Sequence, residues 1–228
     1  MNRHTARRLF QLNAIVAWIG FGGQLLVNIF YLVPSTQPVE ATLVGHSAEG
    51  WPGAIGRVFD SFSYFTNWSN LVVCIAVTAL AMDPRRTGRI FDTVRNTALF
   101  MITMTAILYH LLIAPYVQLE SWHALTSLFE HYLTPLATIV VWAVAGPRGR
   151  FALAETLRIY AIPVAWLAYT FARGALQGVY PYSFFDVATR GYAPVLTLTA
   201  EILAAGYVIA LAFYGAERLL NRSARLQG

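Results

Sequence analysis

The chain has 228 residues, of which 57% are apolar and 12% charged, with a mean hydropathy of +0.53. A water-soluble domain carries about 25% charged residues, so an ordinary soluble fold is excluded. The formal charge of +5 comes from sixteen arginines without a lysine; they sit between apolar runs instead of forming a stripe among exposed aromatics, and no nucleic-acid partner is expected.

Six apolar stretches are long enough to span a bilayer core, for which about 20 helical residues suffice. They cover residues 9–33, 59–82, 96–116, 123–145, 157–173 and 192–214, and short connections marked by Pro, Gly or Arg join them. The expected fold is all-α, a single six-helix transmembrane bundle over residues 1–228. The first stretch follows Arg3, Arg7 and Arg8 like a signal peptide. Its apolar run is longer than such a segment needs, however, and Leu32-Val33-Pro34-Ser35 is a poor cleavage site, so a retained helix is expected. Gly20, Gly22 and Gly23 in it predict close helix packing. The lone Cys74 lies inside an apolar run and predicts a buried thiol, not a disulfide.

Arginine sets the expected orientation. Thirteen of the sixteen fall in the N-terminal tail, the loop around Arg85–Arg95, the loop around Arg148–Arg158 and the C-terminal tail. Arg57, Arg173 and Arg190 are left for the other side. The positive-inside rule then predicts both termini in the cytoplasm.

The second stretch carries a dense polar insert within Ser61-Phe62-Ser63-Tyr64-Phe65-Thr66-Asn67-Trp68-Ser69-Asn70. On one continuous helix, Asp60, Ser63, Thr66, Asn67 and Asn70 share an arc of about 120°. The fourth stretch has a stripe of its own: His123, Thr126, Ser127, Glu130, His131, Thr134 and Thr138 span about 140°. At a rise of about 1.5 Å per residue, Thr66, His131 and Glu201 come to lie about 10 to 13 Å below the outer surface. Ionisable groups at such depth cost about 3 kcal/mol or more and are kept when paired or functional. Pro135 leaves the carbonyl of His131 without its usual helical donor, which predicts a kink at the histidine. Thr66 with His131 is thus a candidate nucleophile and base. The plainer roles, a Thr bonded to its own i−4 carbonyl and a structural His, stand beside it. Two further classes stay open. One is a proton-coupled transporter relaying through Asp60, Glu130, His131 and Glu201; the other is a non-catalytic scaffold or haem binder using His110 and His131.

Three segments carry a resemblance: Phe65-Thr66-Asn67-Trp68-Ser69-Asn70-Leu71-Val72, Glu130-His131-Tyr132-Leu133-Thr134-Pro135 and Gly178-Val179-Tyr180-Pro181-Tyr182. With them the chain resembles the bacterial predicted-six-transmembrane branch related to the animal androgen-induced and androgen-dependent (FAR-type) proteins. Those animal proteins are hydrolases of fatty acid esters of hydroxy fatty acids, with an intramembrane threonine nucleophile and a histidine. The resemblance puts the nucleophile on Thr66, ahead of an Asn-Leu-Val one residue further away than in the family. It puts the histidine on His131, one residue closer to the proline. It implies a lipid or fatty acid ester as substrate, no cofactor or metal, and a site in the outer half of the bacterial cytoplasmic membrane. Asn67, Asn70 and Ser63 are the candidate oxyanion donors by position. Glu201 is the first candidate to orient His131, with Glu130 next, and Tyr180, Pro181, Tyr182 and Phe184 form an aromatic outer mouth.

Overall fold

A computed structural model describes residues 1–30, 43, 46–48 and 50–226. The end of the first predicted stretch, at residues 31–33, and the weak cleavage site after it lie outside the described residues. Those described form helices and loops, with no strand among them. The described residues form ten α-helices: α1 (Arg3–Phe30), α2 (Ala54–Ser61), α3 (Phe65–Met82), α4 (Arg89–Leu112), α5 (Ser121–Leu128), α6 (Thr134–Ala145), α7 (Glu155–Arg158), α8 (Ala161–Gln177), α9 (Val187–Arg190) and α10 (Tyr192–Leu226). A π-turn, Phe129–Leu133, joins α5 to α6. Six helical segments are long and apolar enough to cross a membrane: Arg3–Phe30, Phe65–Met82, Arg89–Tyr116, Ser121–Ala145, Glu155–Gln177 and Tyr192–Arg222.

Helix α1 packs on α3 and α6, and α3 packs on α4, giving a four-segment core with the α5–α6 rod. Its interior holds Ala17, Phe21, Val73, Val77, Met101 and Ile102. Between helices in an apolar medium, attraction comes mostly from van der Waals packing, which favours small residues where backbones meet. Gly20 fits that expectation: an added Cβ would sit 3.0 Å from Cβ of Phe129. Gly23 meets Thr126, whereas Gly22 meets nothing. Helices α8 and α10 flank the core more loosely. Outward, Leu12, Ile15, Ile75, Leu136 and Val208 are each more than half exposed. Such an apolar girdle reverses the usual composition of a water-facing surface.

The two ends of the bundle differ. At one end, Arg3 pairs with Asp83 at 3.3 Å, Arg7 donates to the Met82 carbonyl, and buried Arg95 donates to the carbonyl of Pro147. Arg95 belongs to α4 and not, as expected, to a loop. Its neighbour Asn96 donates to the carbonyl of Arg150, whose own N–H donates to buried Glu217. At the opposite end two further arginines are buried or nearly so. Arg57 donates to the carbonyls of Asn28, Ile29, Ala48 and Gly50, tying α1 to α2. Arg173 pairs with Asp60 and donates to Ser63 Oγ at 2.7 Å. Asp60 in turn accepts from Ser47 Oγ at 2.6 Å.

The Asp60–Arg173 pair joins α2 to α8 with both side chains nearly buried. Removing one partner from such a pair strands the other charge at a cost of about 3–5 kcal/mol. Arg173→Met should therefore lower the thermal midpoint in detergent by on the order of 10 °C. Adding Asp60→Asn to Arg173→Met should recover part of that loss. Melting followed by tryptophan fluorescence checks both, and a double variant no more stable than the single would show that the charge is not the cause.

Candidate active site

The second apolar stretch is not one helix. Helix α2 ends at Ser61, the chain turns through Phe62, Ser63 and Tyr64, and α3 begins at Phe65. The expected continuous stripe from Asp60 to Asn70 is therefore broken, and Asp60 and Ser63 leave the register of Thr66. The cause is local. A continuing helix needs the i+4 N–H groups for the carbonyls of Ser61 and Phe62; here two side chains bond them, and Ser61 O also accepts from the Tyr64 N–H at 3.1 Å in the turn. Asn67 Nδ2 donates to Ser61 O at 2.8 Å, and Trp68 Nε1 donates to Phe62 O at 2.6 Å. Phe62 is residue i−4 to Thr66, so the carbonyl on which a helical threonine usually spends its hydroxyl is occupied.

Thr66 thus stands in the first turn of α3, where backbone N–H groups have no intrahelical partner. The phenol of Tyr182 fills the gap. Its oxygen accepts from the Phe65 N–H at 3.1 Å and lies within hydrogen-bonding reach of the Thr66 side chain and backbone. Tyr182 arrives on the loop between α8 and α9. That loop is seated because Gly174 lets the Tyr180 ring lie directly on α8, where an added Cβ would fall 2.1 Å from the ring. Asp186 caps α9 through the N–H groups of Ala188 and Thr189. Burial pushes the Tyr182 phenol up to about 12, so it keeps its proton at neutral pH.

His131 comes from the π-turn. Pro135 has no N–H for the carbonyl of His131, and the helix rearranges so that Thr134 N–H bonds the carbonyl of Phe129, five residues back. The predicted irregularity at the histidine is therefore a π-turn, a feature that occurs often at functional sites. The turn carries His131 Nε2 to 3.2 Å from Thr66 Oγ1. On the other side of the ring, Nδ1 lies 3.1 Å from the Ser127 carbonyl and 3.0 Å from Ser127 Oγ. A carbonyl only accepts, so Nδ1 carries the hydrogen, and in the neutral ring Nε2 presents its lone pair to the Thr66 hydroxyl. Ser127 Oγ also donates to the Tyr109 hydroxyl at 3.0 Å, and the Tyr109 ring stacks on the imidazole with centroids 3.6 Å apart. His131 is held on an edge and a face at once.

Asn70 fixes the pair from below. Its amide donates to the Thr66 carbonyl at 2.9 Å and to the Glu130 carbonyl at 3.4 Å, bridging the backbones that carry Thr66 and His131. The three donors expected for an oxyanion are directed elsewhere. Asn67 and Asn70 give their amide hydrogens to backbone, and Ser63 Oγ bonds Phe59 O while receiving Arg173. Glu201 does not reach His131. Helix α10 packs through Val195, Thr199, Gly206 and Ala210, and Glu201 projects exposed from another face. A depth estimate gives the level of a residue but not its direction around the helix. Glu130 is buried against Gly20, and its Oε1 has no hydrogen-bond partner among the described residues. His110 is exposed beside the Tyr132 hydroxyl, while both ring nitrogens of His131 are engaged. Among the described residues, no group of three or more His, Cys, Asp or Glu side chains is placed to hold a metal. Cys74 is buried and free.

The sequence does not lead one to expect Ser127 or Tyr109 beside His131, and Tyr182 is expected only as part of the aromatic mouth. Ser127 lay on the predicted stripe, four residues before His131, which is the spacing that brings a helical carbonyl to an imidazole. The other two come from distant segments and carried no such signal. Thr66, Tyr109 and Tyr182 line one apolar cavity with an empty volume of about 670 Å³ including its open part. No family model, curated protein or solved structure matches the chain.

The geometry ranks the supports of His131. A fluorophosphonate probe, which reports how readily a hydroxyl attacks phosphorus, should label Thr66. Ser127→Ala keeps the carbonyl that fixes the tautomer, so labelling should slow by less than about tenfold, the scale of one modest hydrogen bond. Glu201→Gln should label at the wild-type rate, and His131→Ala should not label. Mass-spectrometric site mapping checks all three.

Proposed function

We propose that the protein is an intramembrane carboxylic-ester hydrolase with Thr66 as nucleophile and His131 as general base. The observation that carries this reading is the Thr66 hydroxyl at 3.2 Å from an Nε2 whose tautomer is set by the Ser127 carbonyl, at the end of an apolar cavity. A structural threonine would satisfy its own helix, and a structural histidine would need no defined lone pair directed at a hydroxyl.

Hydrolysis then runs in two halves. His131 Nε2 takes the Thr66 proton as Oγ1 bonds to the ester carbonyl carbon, and the carbonyl π electrons move to oxygen. Collapse of that oxyanion breaks the bond to the alcohol oxygen, which leaves with the proton from Nε2. Water attacks the acyl-threonine with His131 again as base, and the acid departs as Thr66 regains its hydrogen. The Ser127 carbonyl steadies the imidazolium in both halves. No carboxylate is assigned to that role, so the machinery is a dyad with a backbone orienter. Tyr182 is the oxyanion donor: its oxygen accepts from the first turn of α3, which sharpens its own O–H as a donor.

The class of substrate follows from the surroundings, a lipid acyl ester arriving from the apolar side. The resemblance to the FAR-type hydrolases supports the same class. The arginines support an orientation with both termini in the cytoplasm of a bacterial inner membrane and the dyad in the outer half of the bilayer.

In lipid-ester hydrolysis by purified protein, Thr66→Ala should abolish turnover, while Thr66→Ser should retain part of it because the hydroxyl persists. His131→Ala should lose at least about 10² in rate, the scale of a general base. Tyr182→Phe should lose about 10² in kcat with little change in KM, as expected for a donor that acts on the transition state. A folded Thr66→Ala protein that hydrolyses at the wild-type rate would sink the mechanism. Orientation is checked separately: a reporter fused at the C-terminus should be active in the cytoplasm, and activity outside the cell would reverse the assignment.

A further inference from the structure

The cavity that starts at Thr66 has a depth, a wall chemistry and a floor, and together these define the acyl half of the substrate. On α4 it is lined from Tyr109, beside the dyad, to Phe100. Nine residues at about 1.5 Å each make the interval about 14 Å. The floor is closed by a ring pair. Phe100 and Tyr160 lie 5.0 Å apart by centroid, and the Tyr160 hydroxyl donates to the Leu203 carbonyl at 2.9 Å, fastening α8 to α10. Gly206 allows this closure, since a Cβ there would lie 2.8 Å from the Tyr160 oxygen and 3.1 Å from Phe100 Cζ.

The wall between dyad and floor offers no free hydrogen-bond donor among the described residues. Thr105 shares its hydroxyl with Ser69 at 2.6 Å, Thr199 donates to the Val195 carbonyl at 2.7 Å, and Tyr160 is committed as described. Among the described residues, the lining hydroxyls placed to act as donors on a ligand are those at the reactive end. A hydroxyl or branch point carried deep into this cavity would lose its water without a replacement.

We propose that the cavity is a measuring pocket for one straight, unsubstituted acyl chain of about ten to twelve carbons, with the Phe100–Tyr160 pair setting its length. An extended chain advances about 1.2 Å per bond, one third of the roughly 3.6 Å that an extended peptide covers in three bonds. The interval of about 14 Å then holds about eleven bonds beyond the carbonyl. The alcohol half of the ester, with whatever polar groups it bears, stays at the Tyr182 end. The proposal rests on the hydrolase reading only in placing the carbonyl at Thr66.

Binding and turnover separate the two. Thr66→Ala protein in nanodiscs is loaded with radiolabelled dodecanoic acid, which is then displaced with unlabelled fatty acids of six to eighteen carbons. The expected optimum is at ten to twelve carbons, with at least tenfold weaker displacement at sixteen, and 12-hydroxydodecanoic acid should compete at least tenfold worse than dodecanoic acid. Phe100→Ala should move the optimum to longer chains by two carbons or more, and Leu203→Phe, which fills the cavity from α10, should move it to shorter ones. The second variant keeps the test alive if the first does not fold. A flat length profile, or an optimum unmoved in a folded variant, overturns the measuring pocket. If the profile appears as expected but wild-type protein hydrolyses no ester, the pocket stands and the hydrolase reading falls. If wild-type protein hydrolyses esters without length preference, the hydrolase reading stands and the pocket falls.

Discussion

The interruption of the helix at Phe62, Ser63 and Tyr64 is the constraint on which the rest depends. It is made by two side chains from the turn beyond it, Asn67 and Trp68, which take the carbonyls that an unbroken helix would have used. Three results follow from one local substitution of donors. Thr66 loses its usual internal acceptor, the first turn of α3 gains unsatisfied N–H groups, and the loop bearing Tyr182 gains a place to dock. An uninterrupted helix would have left Thr66 as an ordinary packed residue with its hydroxyl turned to its own backbone.

Polar groups far from water are most stable when their partners are complete; the donors of the site follow that rule, while Asn67 Oδ1, Asn70 Oδ1 and Glu130 Oε1 have no partner among the described residues. His131 uses both nitrogens, Asn70 both amide hydrogens, and Ser127 serves the imidazole and Tyr109 together. The Thr66–His131 pair is held by backbone carbonyls and hydroxyls, which orient without bringing a second net charge into an apolar region. A carboxylate in the position of Ser127 would have to be desolvated at a cost of several kcal/mol. The same reasoning separates the two acids of this region: Asp60, at the bundle end, is met by Arg173, whereas no guanidinium pairs with Glu130 among the described residues.

Much of this was legible in the sequence because it follows from period and composition. Six apolar runs gave six helices at nearly the expected places, since the length needed to cross an apolar layer leaves little freedom. The level of Thr66 and His131 followed from counting residues. Direction did not. Glu201 stands exposed on a face of α10 turned away from the packed one, and nothing in a single helical period tells which face its neighbours will cover. The break before Phe65 was hidden for another reason. Asn67 and Trp68 read as members of a polar stripe and an apolar face, and their action on carbonyls six residues earlier depends on a turn that is itself the outcome. Tyr182 belongs to a third case, a contact made by a loop with a helix more than a hundred residues away.

The π-turn at Phe129–Leu133 holds one residue more than an α-turn would over the same arc. It divides its helix into two rods whose faces are set independently: α5 aims Ser127, α6 aims Thr134 and Thr138, and the surplus residue absorbs the angular difference between them. A helix built this way tolerates a change of length at one point and nowhere else nearby. Gain or loss of a single residue there exchanges one kind of turn for the other while both rods keep their neighbours.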